Sequence, residues 1–156
     1  MRTNGKNPLG NLHLMERVAP SVPGLSDLPR EIHQALGAVG LMPERLRGRH
    51  IAVSVGSRGI ASLREIVRAV CDWLKAQGAL PFVFPAMGSH GGATPEGQRK
   101  ILEEYGVTPE NVGVDIISSM ATVLLGNAPE GFKVFMESNA WEADGIVVLN
   151  RIKPHT

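Results

Sequence analysis

The sequence predicts an α/β fold, an open and mostly parallel sheet with helices on both faces and one candidate β-hairpin. Three observations predict it. Short apolar runs rich in β-branched residues stand at 50–55, 80–84 and 145–149. Amphipathic helix patterns lie between them. Each run passes at once into a polar segment punctuated by glycine or proline. Strands that alternate with helices imply parallel pairing through right-handed crossovers, a Rossmann-like arrangement in which both sheet faces are covered.

Residues 1–24 form an irregular segment rich in Pro, Gly and Asn, with one candidate short strand at 12–18. Residues 25–156 form one α/β domain, because no tandem repeat or low-complexity linker divides them. A helix is expected over 26–36: Ser26 or Asp27 caps it, Pro29 is tolerated in its first turn, and Leu28, Ile32 and Leu36 share a face. Gly37 and Gly40 break that pattern. After the strand at 50–55, Ser62 and Glu65 have the spacing of a capping box, and Leu63, Ile66, Val67, Val70 and Leu74 form a buried stripe that Gly78 ends. Cys71 lies beside that stripe, as a small core residue and not a nucleophile.

After the strand at 80–84, Thr94 caps a helix with Pro95 at its first position, ending near Tyr105 and Gly106. Thr108, Pro109 and Glu110 mark a short helix start, and an apolar run follows at 114–117. Two strand candidates, 122–125 and 132–136, are separated by a turn-rich stretch at 126–131 and fit a hairpin. The run at 145–149 is a near-continuous apolar strand.

Composition narrows the function. The chain has 156 residues, 43% hydrophobic and 20% charged, which is ordinary globular composition. With 16 Lys and Arg against 15 Asp and Glu, it has no field for gripping a nucleic-acid backbone. Aromatics at 4% argue against a base-stacking surface. One cysteine excludes an internal disulfide framework and a multi-cysteine zinc site, and it suits a reducing compartment. No apolar run approaches a membrane span of about 20 residues, and the polar start lacks a signal-peptide core. The expectation is a soluble cytoplasmic domain that binds neither nucleic acid nor membrane.

The chemistry-bearing residues gather after the strands. GSRG at 56–59, GSHGGAT at 88–94 and NRIKPHT at 150–156 each follow a predicted strand. In an open parallel sheet the carboxyl ends of the strands share one edge, where ligands bind. Arg58, His90, Arg151, Lys153 and His155 are thereby expected at one rim. Arg58 between Ser57 and Gly59 suits bidentate capture of a carboxylate or phosphate; the alternative is a surface arginine beside a turn. His90 sits among Gly88, Gly91 and Gly92, which let the backbone approach a ligand, and the helix starting at Thr94 offers free amides. A histidine there can shuttle a proton; the alternative is a polar side chain in an exposed loop. His155 follows Pro154, which holds Lys153 extended, and the cations Arg151 and Lys153 favour its neutral form. His33 and His50 are expected to be structural or exposed, and His13 lies in the irregular start. No phosphate-binding GxxxxGK[ST], dinucleotide GxGxxG or G-x-S-x-G elbow is present, and the histidine spacing is no metal signature.

Val55–Ile60, Pro85–Gln98 and Asn150–Thr156 carry a family resemblance. They resemble the N-terminal domain of the nickel-dependent lactate racemase family, and more closely its less characterised homologues, from about Leu25 to the end. The resemblance implies a racemase or epimerase of lactate-like 2-hydroxy acids. In that family a nickel-pincer nucleotide, derived from a pyridinium mononucleotide, takes hydride from the α-carbon while a histidine removes the hydroxyl proton. It implies Arg58 as the carboxylate anchor, with Ser57 and Lys153 beside it. His90 and His155 would be the acid/base pair, and Gly88, Ser89, Gly91, Gly92 and Thr94 would be the cofactor-binding loop. Where the racemase proper has an acidic residue and a threonine before the arginine, Val55, Gly56 and Ser57 stand here.

The resemblance also places the cofactor-carrying lysine, the nickel-binding histidine and a C-terminal partner domain beyond Thr156. The chain is therefore expected to be a fragment that holds no metal itself and is inactive alone. Two other functions remain open from the residues: a non-catalytic module that binds a small carboxylate or phosphate, and a structural half that is stable only when docked on its partner domain.

Overall fold

The computed structural model describes residues 24–40, 43–57 and 59–151. The candidate strand at 12–18 and the residues Arg58, Lys153 and His155 lie outside the described residues. Among the described residues, twelve elements run in chain order. They are α1 (Leu28–Ala38), α2 (Pro43–Leu46), β1 (His50–Val55), α3 (Leu63–Ala76), β2 (Leu80–Pro85), a 3-10 turn (His90–Ala93), α4 (Pro95–Glu104), α5 (Pro109–Val112), β3 (Thr122–Asn127), β4 (Lys133–Glu137), α6 (Ser138–Glu142) and β5 (Gly145–Leu149).

The main sheet is parallel, with order β2-β1-β5. Val53 pairs with Val83 and Val147, and Val55 pairs with Pro85 and Leu149, so the three strands finish level with one another. β1 is central, and its end lies between the other two. The run at 114–117 contributes a single parallel bridge, Ile116 to Val83, instead of a full strand. Its short apolar stretch is flanked by Gly113, with φ of 74°, and by polar Ser118 and Ser119, which leaves no length for a ladder. β3 and β4 form the expected antiparallel hairpin, with a register shift between Leu124 and Gly126.

Strand alternation decides which side chains go where. Ile51, Val53, Val55 and Val83 face α3 and α4, where Val67, Val70, Leu74 and Leu102 meet them in the larger core. Ala52, Phe82 and Phe84 face the opposite side, where Ala140 of α6 packs. Helices thus flank both faces, as the α/β reading required. Cys71 is fully buried in the larger core, and burial pushes its thiol up to about 12.

Local signals were followed with one exception. Asp27 caps α1 by accepting from the Arg30 amide at 3.1 Å. Thr94 caps α4 and Thr108 caps α5, each with proline in the first turn. The capping box at α3 does not form. Ser62 adopts a left-handed conformation (φ 53°) with no side-chain cap hydrogen bond, and Glu65 pairs instead with Arg64 at 2.7 Å. A reciprocal box needs its cap residue extended.

Candidate functional site

The level finish of β2, β1 and β5 puts three loops along one edge of the sheet, and hydrogen bonds join them. Ala86 donates its amide to the Val55 carbonyl at 2.8 Å, carrying the β1–β2 pairing past the strand ends. Ser57 Oγ lies 2.5 Å from His90 Nδ1, linking the loop after β1 to the loop after β2. Arg151 Nη1 donates to the Gly59 carbonyl at 2.9 Å, linking the loop after β5 to the same β1 loop. Ser57 and Gly59 flank Arg58, so both neighbours of the predicted anion anchor are tied to another strand's tip.

The second loop owes its shape to glycine. Gly88, Gly91 and Gly92 have φ of 60°, 65° and 67°. Among the described residues, a Cβ at Gly88 or Gly92 would meet nothing within 4 Å. Gly91 differs. A Cβ there would lie 2.4 Å from the Gly97 carbonyl carbon, and one on Gly97 would lie 1.9 Å from the Gly91 oxygen. Two glycines are needed because the loop and the first turn of α4 touch backbone to backbone. Ala93 also has positive φ, 54°, with a Cβ to strain it.

α4 clamps this loop. Thr94 Oγ1 donates to the Gly91 carbonyl at 3.0 Å and accepts from the Gly97 amide at 3.1 Å. Gln98, only 3% exposed, donates Nε2 to the Gly88 carbonyl at 2.7 Å. At the far end of the helix, Tyr105 donates its hydroxyl to the Ser57 carbonyl at 2.7 Å. One helix thus holds both the histidine loop and the serine that meets the histidine.

Of the residues singled out from the sequence, Ser57, Gly88, Ser89, His90, Gly91, Gly92, Thr94 and Arg151 all lie in these loops at the carboxyl edge. His33 bonds the Ala69 carbonyl at 3.0 Å and joins α1 to α3, as a structural residue would. His50 begins β1 and is exposed. Gly97, Gln98 and Tyr105 were not singled out. Gly97 carried a signal, since glycine inside a helix's first turn marks a close backbone approach. Tyr105 carried none, because its partner is a main-chain carbonyl 48 residues away.

Among the described residues no group of three His, Cys, Asp or Glu is placed to hold a metal ion. No described helix is long and apolar enough to cross a membrane. Cavities of about 460 and 520 Å³ open at the opposite edge of the sheet, beside Arg49 and Gly145 and beside Leu80 and Pro81, where the strands begin. A smaller one of about 260 Å³ lies beside Ala86, Gly88 and Gln98. The polar groups converge at the carboxyl edge, and that is where open parallel sheets bind ligands.

Comparison with curated proteins and with solved structures gives no match in either case. The sequence model of the lactate racemase N-terminal domain matches residues 47–156, a span that takes in β1 to β5 and all three strand-end loops. The chain therefore belongs to the lactate racemase N-terminal domain family.

Proposed function

We propose that residues 25–156 form the acid/base-bearing N-terminal domain of a cytoplasmic 2-hydroxy-acid racemase or epimerase, working with a C-terminal domain of the same protein. The observation that carries this reading is the joining of three strand-end loops by the Ser57–His90 and Arg151–Gly59 contacts. Racemisation needs an anion anchor and proton acceptors fixed relative to one another, and loops tied together across a sheet edge supply that rigidity.

In this reading Arg58 grips the substrate carboxylate, with Ser57 and Lys153 beside it. His90 takes the hydroxyl proton from one hand of the substrate and His155 from the other. When the planar keto acid is reduced on its other face, the opposite histidine supplies the hydroxyl proton. A nickel-pincer nucleotide, when bound, supplies the site that accepts and returns the α-hydride. The residues present fit its organic part: no described atom lies within 4 Å of where a Cβ would stand at Gly88 or Gly92, so Gly88, Ser89 and Gly92 can lie close against a flat or anionic group. Gly91 and Thr94 are engaged in shaping the loop and serve that group indirectly. The nickel and its covalent attachment belong to residues expected beyond Thr156.

The test is racemisation by the full-length, cofactor-loaded protein, followed by chiral chromatography from a single enantiomer of lactate. The wild type is expected to equilibrate the two hands, and His90→Ala or His155→Ala to abolish exchange. Wild-type rates in both variants would overturn the assigned roles. Calorimetric binding of lactate that needs Arg58 but neither histidine, without exchange, would favour a binding module instead.

A further inference from the structure

We propose that the cavity of about 260 Å³ beside the histidine loop receives the side chain of the substrate. The side chain it suits is uncharged and carries hydroxyl groups, as in a sugar acid. The assignment to substrate rests on the racemase reading above; the chemistry of the cavity does not. It is lined by Ala86 and Gly88 of the loop after β2, by Gln98 of α4, and by Ser119, Met120 and Glu137 at the foot of the hairpin. Gln98 sets what the cavity accepts. It is only 3% exposed, and its Nε2 donates to the Gly88 carbonyl at 2.7 Å. Its Oε1 has no hydrogen-bond partner among the described residues. An amide oxygen taken from water without a donor is costly. None of the described side-chain polar atoms is both wholly buried and unpartnered, so Oε1 keeps an opening, and a ligand in the cavity can supply the donor.

The other polar groups point the same way. The Glu137 carboxylate is held by Asn139 Nδ2 at 2.6 Å and by the Ala140 amide at 2.7 Å. Ser119 Oγ accepts from the Ala121 amide at 3.0 Å, which leaves its O–H to donate. Acceptors outnumber donors, and the charge among these residues is negative. Ligand hydroxyls satisfy such a set, whereas a second carboxylate or phosphate would meet Glu137 with like charge. Met120, 42% exposed, adds apolar surface for a carbon backbone. Gly88 stands two residues before His90, at most about 7 Å away along the chain. A substrate whose 2-hydroxyl meets His90 therefore reaches the cavity with a tail of several carbons, and the methyl group of lactate leaves it unfilled.

The test titrates gluconate and lactate separately into the 156-residue chain, labelled with ¹⁵N and with ¹³C in its methionine methyl groups, and takes affinities from calorimetry. Gluconate is expected to bind at least about tenfold more tightly than lactate. It should shift the Gln98 side-chain amide and the Met120 methyl in addition to the residues that lactate moves. Met120→Trp, which fills the cavity from its exposed side, should erase that advantage and leave lactate affinity unchanged. Gln98→Leu, which removes the acceptor, should weaken gluconate more than lactate. In the full-length, cofactor-loaded protein gluconate should be inverted at its C2, and Met120→Trp should raise its KM without raising that of lactate. A wild-type affinity for gluconate no higher than for lactate, as when water alone satisfies Gln98, would overturn the subsite and leave the racemase reading standing. So would an advantage that survives Met120→Trp. If gluconate moves the cavity resonances but the loaded full-length protein inverts neither acid, the racemase reading fails and the cavity's chemistry stands.

Discussion

The two faces of the central sheet are built unequally. On one side Ile51, Val53 and Val55 of β1, Val83 of β2 and Val147 of β5 press against α3 and α4, and several of these side chains are fully buried. On the other side β1 offers Ala52, Ser54 and the exposed His50, and Phe82 and Phe84 meet the small Ala140. β5 shows the contrast within one strand: Val147 packs on the larger core, while its neighbour Val148 is 70% exposed. A strand apolar on both sides is the pattern of a parallel strand covered on both faces. Among the described residues β5 is covered on one. The lesson is that stability comes from the α3–α4 side, and that the strand tips inherit their rigidity from it.

If that is so, Leu102→Ala, a fully buried site on α4, should cost about 2–5 kcal/mol in urea unfolding. It should also loosen the clamped loop. Gly97→Ala should come next: its Cβ would fall 1.9 Å from the Gly91 oxygen, so the loop must move. The expected outcome is displaced amide resonances at 88–94 with a measurable loss of stability, about 1–3 kcal/mol. Val148→Ala on the thin side should stay within about 0.5 kcal/mol of the wild type. A cost comparable to Leu102→Ala would erase the distinction between the faces.

Chemistry should follow the same division. The Cys71 thiol, held near 12 by burial in the thick core, should ignore a disulfide reagent at pH 8 and react once urea unfolds the chain. The smallest effect belongs to the rim where the strands begin. The His50 amide, with the Arg49 guanidinium, holds the Asp144 carboxyl below its usual range. Its folded value is depressed, so its contribution is present above the unfolded value of about 4 and fades as pH falls through the folded one. Asp144→Asn should therefore lower Tm slightly at neutral pH and leave it unchanged at acid pH, where the carboxyl is protonated anyway, so that the acid limb of a Tm-against-pH curve is a little flatter.

Much of this architecture was legible in the sequence because its signals are local. β5 was expected at 145–149 and is found there; Thr94, Pro95 and Thr108 start helices where short-range capping puts them. The failures have physical causes. Ser62 and Glu65 had capping-box spacing, but the backbone turns left-handed at Ser62, which spacing does not encode. The five-residue α6 passed unseen because one turn capped by Glu137 has too little periodicity to stand out. At the site, the level strand ends followed from parallel alternation, so the placement of Ser57, His90 and Arg151 at one edge could be anticipated. The Tyr105–Ser57 bond could not, since nothing local to either residue announces the other.

The claim on which the rest depends is that the three strand-end loops act as one ligand site. It is tested most directly by titrating lactate into the ¹⁵N-labelled 156-residue chain and mapping amide shifts. The account predicts concerted, saturable changes in residues 56–59, 88–93 and 150–151. Changes confined to a single loop, or centred on the cavity beside Arg49 and Gly145 at the opposite edge, would contradict it.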